Sequence, residues 1–324
     1  MSALIPPDDS AKEPGPFKMP ACPLCQRSDL TPCKTVLDGP YRLLYCRSCD
    51  LEFAHPMQHP GRDFYERLSP IYSYRRQYHT HRLELFASQR DFLRHLPAQG
   101  GQLLDVGCGD GLFLNCARSH YRVAGLELDR EAAAIARARL PADTPIYEVG
   151  LDALRELVED GTLDVITCFE VLEHLADPAA FFQQASRLLK SGGYLAVSVP
   201  NRDRHYGRSN PHDFPPNHLT RWTHRGLQLE FERHGIETIV AHHLLEGPFG
   251  AYEWPRILSL GLFKGTQALG GVPTDKVIAK PPSRIQRLIW LAKLLSIPPL
   301  ARLWQLALRR RESLFLYVLG RKRG

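Results

Sequence analysis

The chain is 324 residues long, 44% hydrophobic and 23% charged, with 41 Lys/Arg against 35 Asp/Glu for a formal net charge of +6. That is enough apolar residue to close a full α/β core with appendages, and no uninterrupted apolar run reaches the roughly eighteen residues of a spanning helix. The charge is uneven: Arg284–Gly324 carries +9 and the rest of the chain sums to −3, so the body has no charge signature of general nucleic-acid binding.

In chain order, residues 1–20 hold five prolines and few large apolar side chains, which predicts a disordered leader rather than a signal peptide. A cytoplasmic chain is expected, with its eight cysteines as thiols or metal ligands. Over 21–56, Cys22-Pro-Leu-Cys25 and Cys46-Arg-Ser-Cys49 stand twenty residues apart. Two C-x₂-C pairs at this distance are the spacing of a zinc ribbon, in which each knuckle presents two thiolates to one tetrahedral ion. Four thiolates leave no open position, so the ion is expected to be structural. Tyr41–Tyr45 reads as a strand entering the second knuckle. Residues 57–98 read as a linker followed by a helix over 74–96, with Leu83, Phe86, Phe92, Leu93 and Leu96 on its apolar positions.

The core, 99–250, alternates strand and helix, which predicts a doubly wound, mostly parallel sheet with right-handed crossovers. Strands are expected near 102–106, 122–127, 145–149, 163–169, 193–199 and 236–244. Helices are expected near 111–119, 130–140, 151–159, 178–190 and 226–234, with Gly192-Gly193 stopping the fourth. The first strand runs into Asp105-Val106-Gly107-Cys108-Gly109-Asp110-Gly111. Three glycines at alternate positions describe a turn whose backbone closely approaches a ligand, before a helix whose free N–H groups face an anionic group. A dinucleotide pyrophosphate and the carboxylate of an amino-acid-like cofactor both fit such a turn. The spacing is G-x-G-x-G and not G-x-G-x-x-G, and an acid at Asp110 would repel pyrophosphate but accept from an ammonium or a ribose hydroxyl. Glu127 ends the second strand twenty residues past Gly107, where a carboxylate suits two ribose hydroxyls.

Two later segments carry proton chemistry. Phe169-Glu170-Val-Leu-Glu173-His174 follows the fourth strand, and Asn210-Pro-His212-Asp213-Phe-Pro-Pro-Asn217-His218 follows the fifth. His218, in a loop stiffened by prolines, reads either as a base or as a structural histidine bonded to backbone; His174 offers a second base. Trp222 would stack on an acceptor or cover the core, and His205, Arg208 and His212 are candidates in the same loop. The tail, 251–324, pairs apolar helical faces at 285–297 and 300–308 with Arg309-Arg310-Arg311 and Arg321-Lys322-Arg323. This reads either as interfacial helices on an anionic inner membrane face or as a helical pair packed on protein.

Asp105–Gly111, Gly125-Leu-Glu127 and Phe169–Leu175 together resemble the class I S-adenosylmethionine-dependent methyltransferases, in particular the branch of the ubiquinone-biosynthesis O-methyltransferases. The resemblance spans roughly residues 80–245. It implies a seven-stranded sheet, the last strand of which is not evident before Gly250. It also implies that Asp105, Gly107, Cys108, Gly109, Asp110, Gly111 and Glu127 bind S-adenosylmethionine, that Leu151 and Asp152 flank the adenine, and that Phe169 and Glu170 lie beneath the methionyl and ribose part. It implies that the 74–96 helix lies over the cofactor site, with Tyr65, Tyr72 and Tyr78 either lining that site or packing the linker helix. Glu170, Glu173 and His174 would match residues that hold a divalent cation beside the acceptor. The expected reaction is methyl transfer, on oxygen, to a small-molecule, glycan or lipid-linked acceptor, with His218, His174 and Glu173 as the catalytic candidates. Two other readings stand beside it: an NAD-dependent oxidoreductase, and a zinc-ribbon interaction or nucleic-acid-binding protein with a non-catalytic body.

Overall fold

A computed structural model describes residues 19–33, 40–58, 85–95, 97, 100–204, 213–244 and 314–324. Residues 1–18 of the leader, Tyr65, Tyr72, Tyr78, His205, Arg208, His212 and the tail between 285 and 311 lie outside these residues.

Two sheets form. The larger is built from β4 (Gly101–Val106), β5 (Tyr121–Leu126), β6 (Ile146–Tyr147), β7 (Leu163–Phe169), β8 (Leu189–Pro200), β10 (Ile236–Leu244) and β11 (Phe315–Lys322), in the order β10-β11-β8-β7-β4-β5-β6. β4, β5, β6, β7 and β8 run parallel, and β11 enters antiparallel between β8 and β10. From β4 the chain winds outward through β5 and β6, then returns to β7 and winds the other way. The reversal leaves a crevice at the carboxyl ends of β4 and β7, where α/β sheets take ligands.

The helices α1 (Ala87–His95), α2 (Leu112–Ala117), α3 (Arg130–Arg139), α4 (Leu154–Leu157), α5 (Pro178–Leu188) and α6 (His224–Arg233) cover both faces. Their starts follow from local chemistry. Asp129 accepts from the N–H groups of Glu131 and Ala132, and Asp177 caps α5 ahead of Pro178. Such caps contribute about 1 kcal/mol each. Phe181, Phe182, Ala185 and Leu188 then bury one face of α5 against the sheet.

Two expectations are corrected. The α5 helix does not run on to Gly192-Gly193: it ends at Leu188, and β8 begins at Leu189. Gly192 (φ +78°) lies within the strand segment. The second correction concerns the tail, whose last residues are not an interfacial helix. Leu316, Tyr317, Val318 and Leu319 are buried in β11, and Lys322 Nζ donates to the carbonyls of Ser186 and Leu189. β11 is the strand that was missing before Gly250.

The smaller sheet, β1-β2-β3-β9, joins β1 (Leu30–Pro32), β2 (Arg42–Cys46) and β3 (Leu51–His55) to β9 (Thr220–Arg221), which belongs to the segment leading into α6. Among the described residues no helix is long and apolar enough to cross a membrane.

Candidate functional site

The turn after β4 has the form its glycines demand. Gly107, Gly109 and Gly111 all have positive φ, at 77°, 55° and 73°. A Cβ on Gly107 would lie 2.3 Å from Cγ2 of Val171, so the turn after β7 packs directly against this glycine. A Cβ on Gly109 would meet nothing within 4 Å. One glycine closes the turn against protein, and the other leaves its outer side clear for a ligand.

Three acids surround the turn in different roles. Asp105 is 2% exposed and accepts from Thr167 Oγ1 at 2.6 Å; burial, with Glu127 nearby, pushes its carboxyl up to about 7. Glu127 accepts from Gly109 N and from Asp129 N, both at 2.8 Å, and burial raises its pKa. A carboxylate has about four acceptor positions, so these backbone bonds leave acceptor capacity for a hydroxyl. Asp110 turns elsewhere: it accepts from Leu112 N at 3.1 Å and pairs with Arg139 at 2.9 Å. The first N–H of α2 is therefore met by Asp110. Cys108 is buried, against the position where a Gly125 Cβ would stand, and burial pushes its thiol far up.

Phe169 closes the end of β7 among Phe92 and Phe113, with centroids 6.3 and 5.2 Å away, in the manner of a core side chain. Leu151 and Asp152 fall in the short 3₁₀ turn Leu151–Ala153. Glu170 has φ +59°, a left-handed backbone that is uncommon for a residue with a side chain. Its carboxyl accepts from Ser198 Oγ at 2.7 Å, and burial pushes it up to about 8.

Beyond Glu170 the chain makes the 3₁₀ turn Leu172–His174, and here the two predicted segments meet. Glu173 is 1% exposed. His174 Nε2 lies 3.8 Å and His218 Nε2 4.0 Å from Glu173 Oε1. The ligand atoms of Glu173, His174 and His218 all lie within 4.8 Å of one another, which suits a divalent cation. The expected cation set named Glu170; His218 is the residue that joins Glu173 and His174. His174 Nδ1 is 2.7 Å from the carbonyl of Asn217, so in the neutral ring Nδ1 carries the proton and Nε2 keeps its lone pair. On the other side of His218, Nδ1 is 3.7 Å from Asp213 Oδ1, and Asp213 is paired with Arg204. Trp222 is fully buried, donates to Thr220 Oγ1 and packs on Phe182, so it covers the core.

The four ribbon cysteines come together with all sulfurs within 4.8 Å, Cys22 to Cys49 at 3.8 Å and Cys25 to Cys46 at 3.6 Å. Zn–S bonds of about 2.3 Å in a tetrahedron put sulfurs about 3.8 Å apart, so this donor set fits zinc. Each knuckle ends on a residue with positive φ, Gln26 and Asp50.

Sequence reasoning did not single out Asp213, Arg204, Thr167 or Ser198. Thr167 and Ser198 face Asp105 and Glu170 only through strand register, which leaves no local signal. Asp213 lies in the quoted loop, five residues before His218, and an acid at that spacing was the available clue.

The model of the family described as "Methyltransferase domain" matches residues 74–241. The chain is 38% identical over 118 residues to the ubiquinone biosynthesis O-methyltransferase of Albidiferax ferrireducens, covering 35% of this chain and 46% of that protein. It is 39% identical over 112 residues to the protein of the same name from Paracidovorax citrulli, covering 33% and 47%. It thus spans about half the length of the curated relatives it matches. Among solved structures it is similar to a SAM-dependent methyltransferase, possible histamine N-methyltransferase, from Thermotoga maritima. There the TM-score is 0.49 and the identity 19%, with 80% of this chain and 98% of that chain covered.

Proposed function

The chain belongs to the methyltransferase-domain family of class I S-adenosylmethionine-dependent enzymes, and from that premise we propose that it methylates a hydroxyl of a small-molecule, glycan or lipid-linked acceptor. The observation that carries this reading is the meeting of His218 with Glu173 and His174, which lie on the turn packed against Gly107.

The residues present fit the cofactor. Gly109 leaves room for it, and Glu127 keeps acceptor positions at the end of β5 where ribose hydroxyls would lie. Asp105 sits beneath the turn as a buried acid that an ammonium would hold ionised. Leu151 and Asp152 would flank the adenine. When bound, S-adenosylmethionine supplies a methyl group already activated on a sulfonium. The protein's task is then to orient the acceptor and exclude water.

An acceptor hydroxyl must lose its proton as the methyl group arrives. His218 would take it at Nε2, and Asp213 beside Nδ1 favours the imidazolium that results. Glu173 stabilises the same charge from the other side, and His174 Nε2 offers a second acceptor for the proton. A cation held by Glu173, His174 and His218 is the second reading, favoured by the Asn217 carbonyl that orients His174 as a ligand. It would acidify a coordinated hydroxyl. A structural zinc at Cys22, Cys25, Cys46 and Cys49 belongs to the same proposal. So does contact of residues 285–311 with an anionic inner membrane face, which would bring a lipid-linked acceptor within reach.

The test is S-adenosylhomocysteine release from phenolic, sugar and lipid-linked hydroxyl acceptors, with and without EDTA. Release that survives EDTA supports the histidine base. Loss that magnesium restores supports the cation. Cofactor binding with no release across the panel favours a non-catalytic body.

A further inference from the structure

The ribbon is joined to the acceptor side of the core through β9. β9, two residues long, has β3 of the ribbon as its neighbour in the sheet, with Phe53 opposite Thr220 and Glu52 opposite Arg221. Ala54 N donates to the carbonyl of Leu219 at 2.8 Å, and Arg221 pairs with Glu52. Leu219 in turn donates to the carbonyl of Glu173 at 2.8 Å. His218 is therefore followed directly by a residue clamped between the ribbon and the turn that carries Glu173.

Asp50 makes the second connection. It follows Cys49, with φ +51°, and is 8% exposed. Its carboxylate accepts from Tyr45 Oη at 2.9 Å within the ribbon, from Arg202 Nη2 at 2.9 Å after β8, and from Thr223 Oγ1 at 2.7 Å at the end of the His218 segment. Arg202 Nη1 also donates to the Asp50 carbonyl, and Thr223 caps α6 through Gly226 N. A Cβ on Gly226 would stand 3.0 Å from the carbonyl of Cys49, so α6 is docked against the knuckle itself. Arg233 Nη1 lies 3.3 Å from Cys49 Sγ.

We propose that the ribbon positions the acceptor-side histidine, with Asp50 as the positioning residue that transmits the geometry of the metal-bound knuckle to the segment 217–223. The proposal rests on His218 acting on the acceptor, as read above, and gives the four-cysteine site a role beyond holding its own loop. Cys22, Cys25, Cys46 and Cys49 would hold the zinc, and a knuckle so fixed would in turn fix Asp50, which follows Cys49. Asp50 and β3 then fix both sides of the short segment that brings His218 to Glu173.

The test uses full-length zinc protein carrying ¹³C-labelled histidine, with the Cε1–H signals of His174 and His218 assigned from His174→Ala and His218→Ala. Asp50→Ala is expected to keep about one zinc per chain. Its S-adenosylmethionine affinity is expected to stay within about threefold of the parent, since Asp50 bonds Tyr45, Arg202 and Thr223 rather than the glycine turn. The His218 and His174 signals are expected to shift or broaden. Asp50→Asn, which retains an acceptor oxygen, should recover them in part. If Asp50→Ala does not fold, Thr223→Val and removal of zinc from the parent by a chelator are read in the same spectra. Unchanged histidine signals in a folded Asp50 or Thr223 variant, and on zinc removal, would overturn the proposal. A parent protein that binds no S-adenosylmethionine would instead overturn the functional reading, while leaving this coupling measurable.

Discussion

His174 and His218 meet edge to face with ring centroids 4.6 Å apart, over the buried carboxylate of Glu173. Residues 44 positions apart form one cluster because β7 and β8 are parallel neighbours, so the turn after one and the loop after the other start from the same carboxyl side of the sheet. From this relationship, His218→Ala is expected to lower turnover by about 10²–10⁴, the usual worth of a positioned proton acceptor. Cofactor affinity should stay unchanged. Initial rates of S-adenosylhomocysteine release, beside calorimetry on the same preparation, check both parts.

Glu173→Gln separates the base from the cation reading. If a cation sits on Glu173, His174 and His218, loss of the anionic ligand weakens Mn²⁺ binding by about 10-fold or more. Titration followed by the Mn²⁺ electron resonance signal measures this.

Asp105→Asn is expected to separate stability from function. Asp105 has a folded pKa near 7 against an ordinary value near 4, so the folded state holds the extra proton between these limits. Stability contributed by that proton is present at low pH and is lost as pH rises to 7, by on the order of 4 kcal/mol at most. Asparagine can still accept from Thr167 but has no charge to bury. Tm of the cofactor-free variant should exceed that of the parent above pH 7, and the gap should close toward pH 4.

His224 gives the opposite slope. Burial, with His243 4.3 Å away, holds its pKa down to about 4 against an ordinary 6.5. The unfolded chain therefore binds more protons between these values, and stability falls as pH drops from 6.5 toward 4. His224→Gln keeps a donor for the His242 carbonyl but not the titration. Its Tm should decline less steeply than the parent's over that range.

How much of this was legible depends on how local the signal is. The glycine turn, Glu127 and the two knuckles are written in consecutive residues, because backbone torsion and thiolate spacing are local requirements. The roles of individual acids were less legible. Asp110 was expected to face a ligand, yet Arg139 on α3 and the N–H of Leu112 take it. Strand β11 could not be placed because its partners lie far upstream, in β10 and β8, and its end is basic. Arg321 and Lys322 look like surface charge until their contacts with Gly192, Ser186 and Leu189 are seen. The link between Asp50 and Thr223 is likewise a matter of tertiary position, with no sequence spacing to announce it.

Calorimetric titration of the zinc-loaded chain with S-adenosylmethionine tests the central claim most directly, run beside Glu127→Ala and Asp105→Ala. One binding event per chain is expected in the parent, absent or at least about tenfold weaker in both variants while their zinc content is unchanged. No heat in the parent, or full affinity in both variants, would contradict the account.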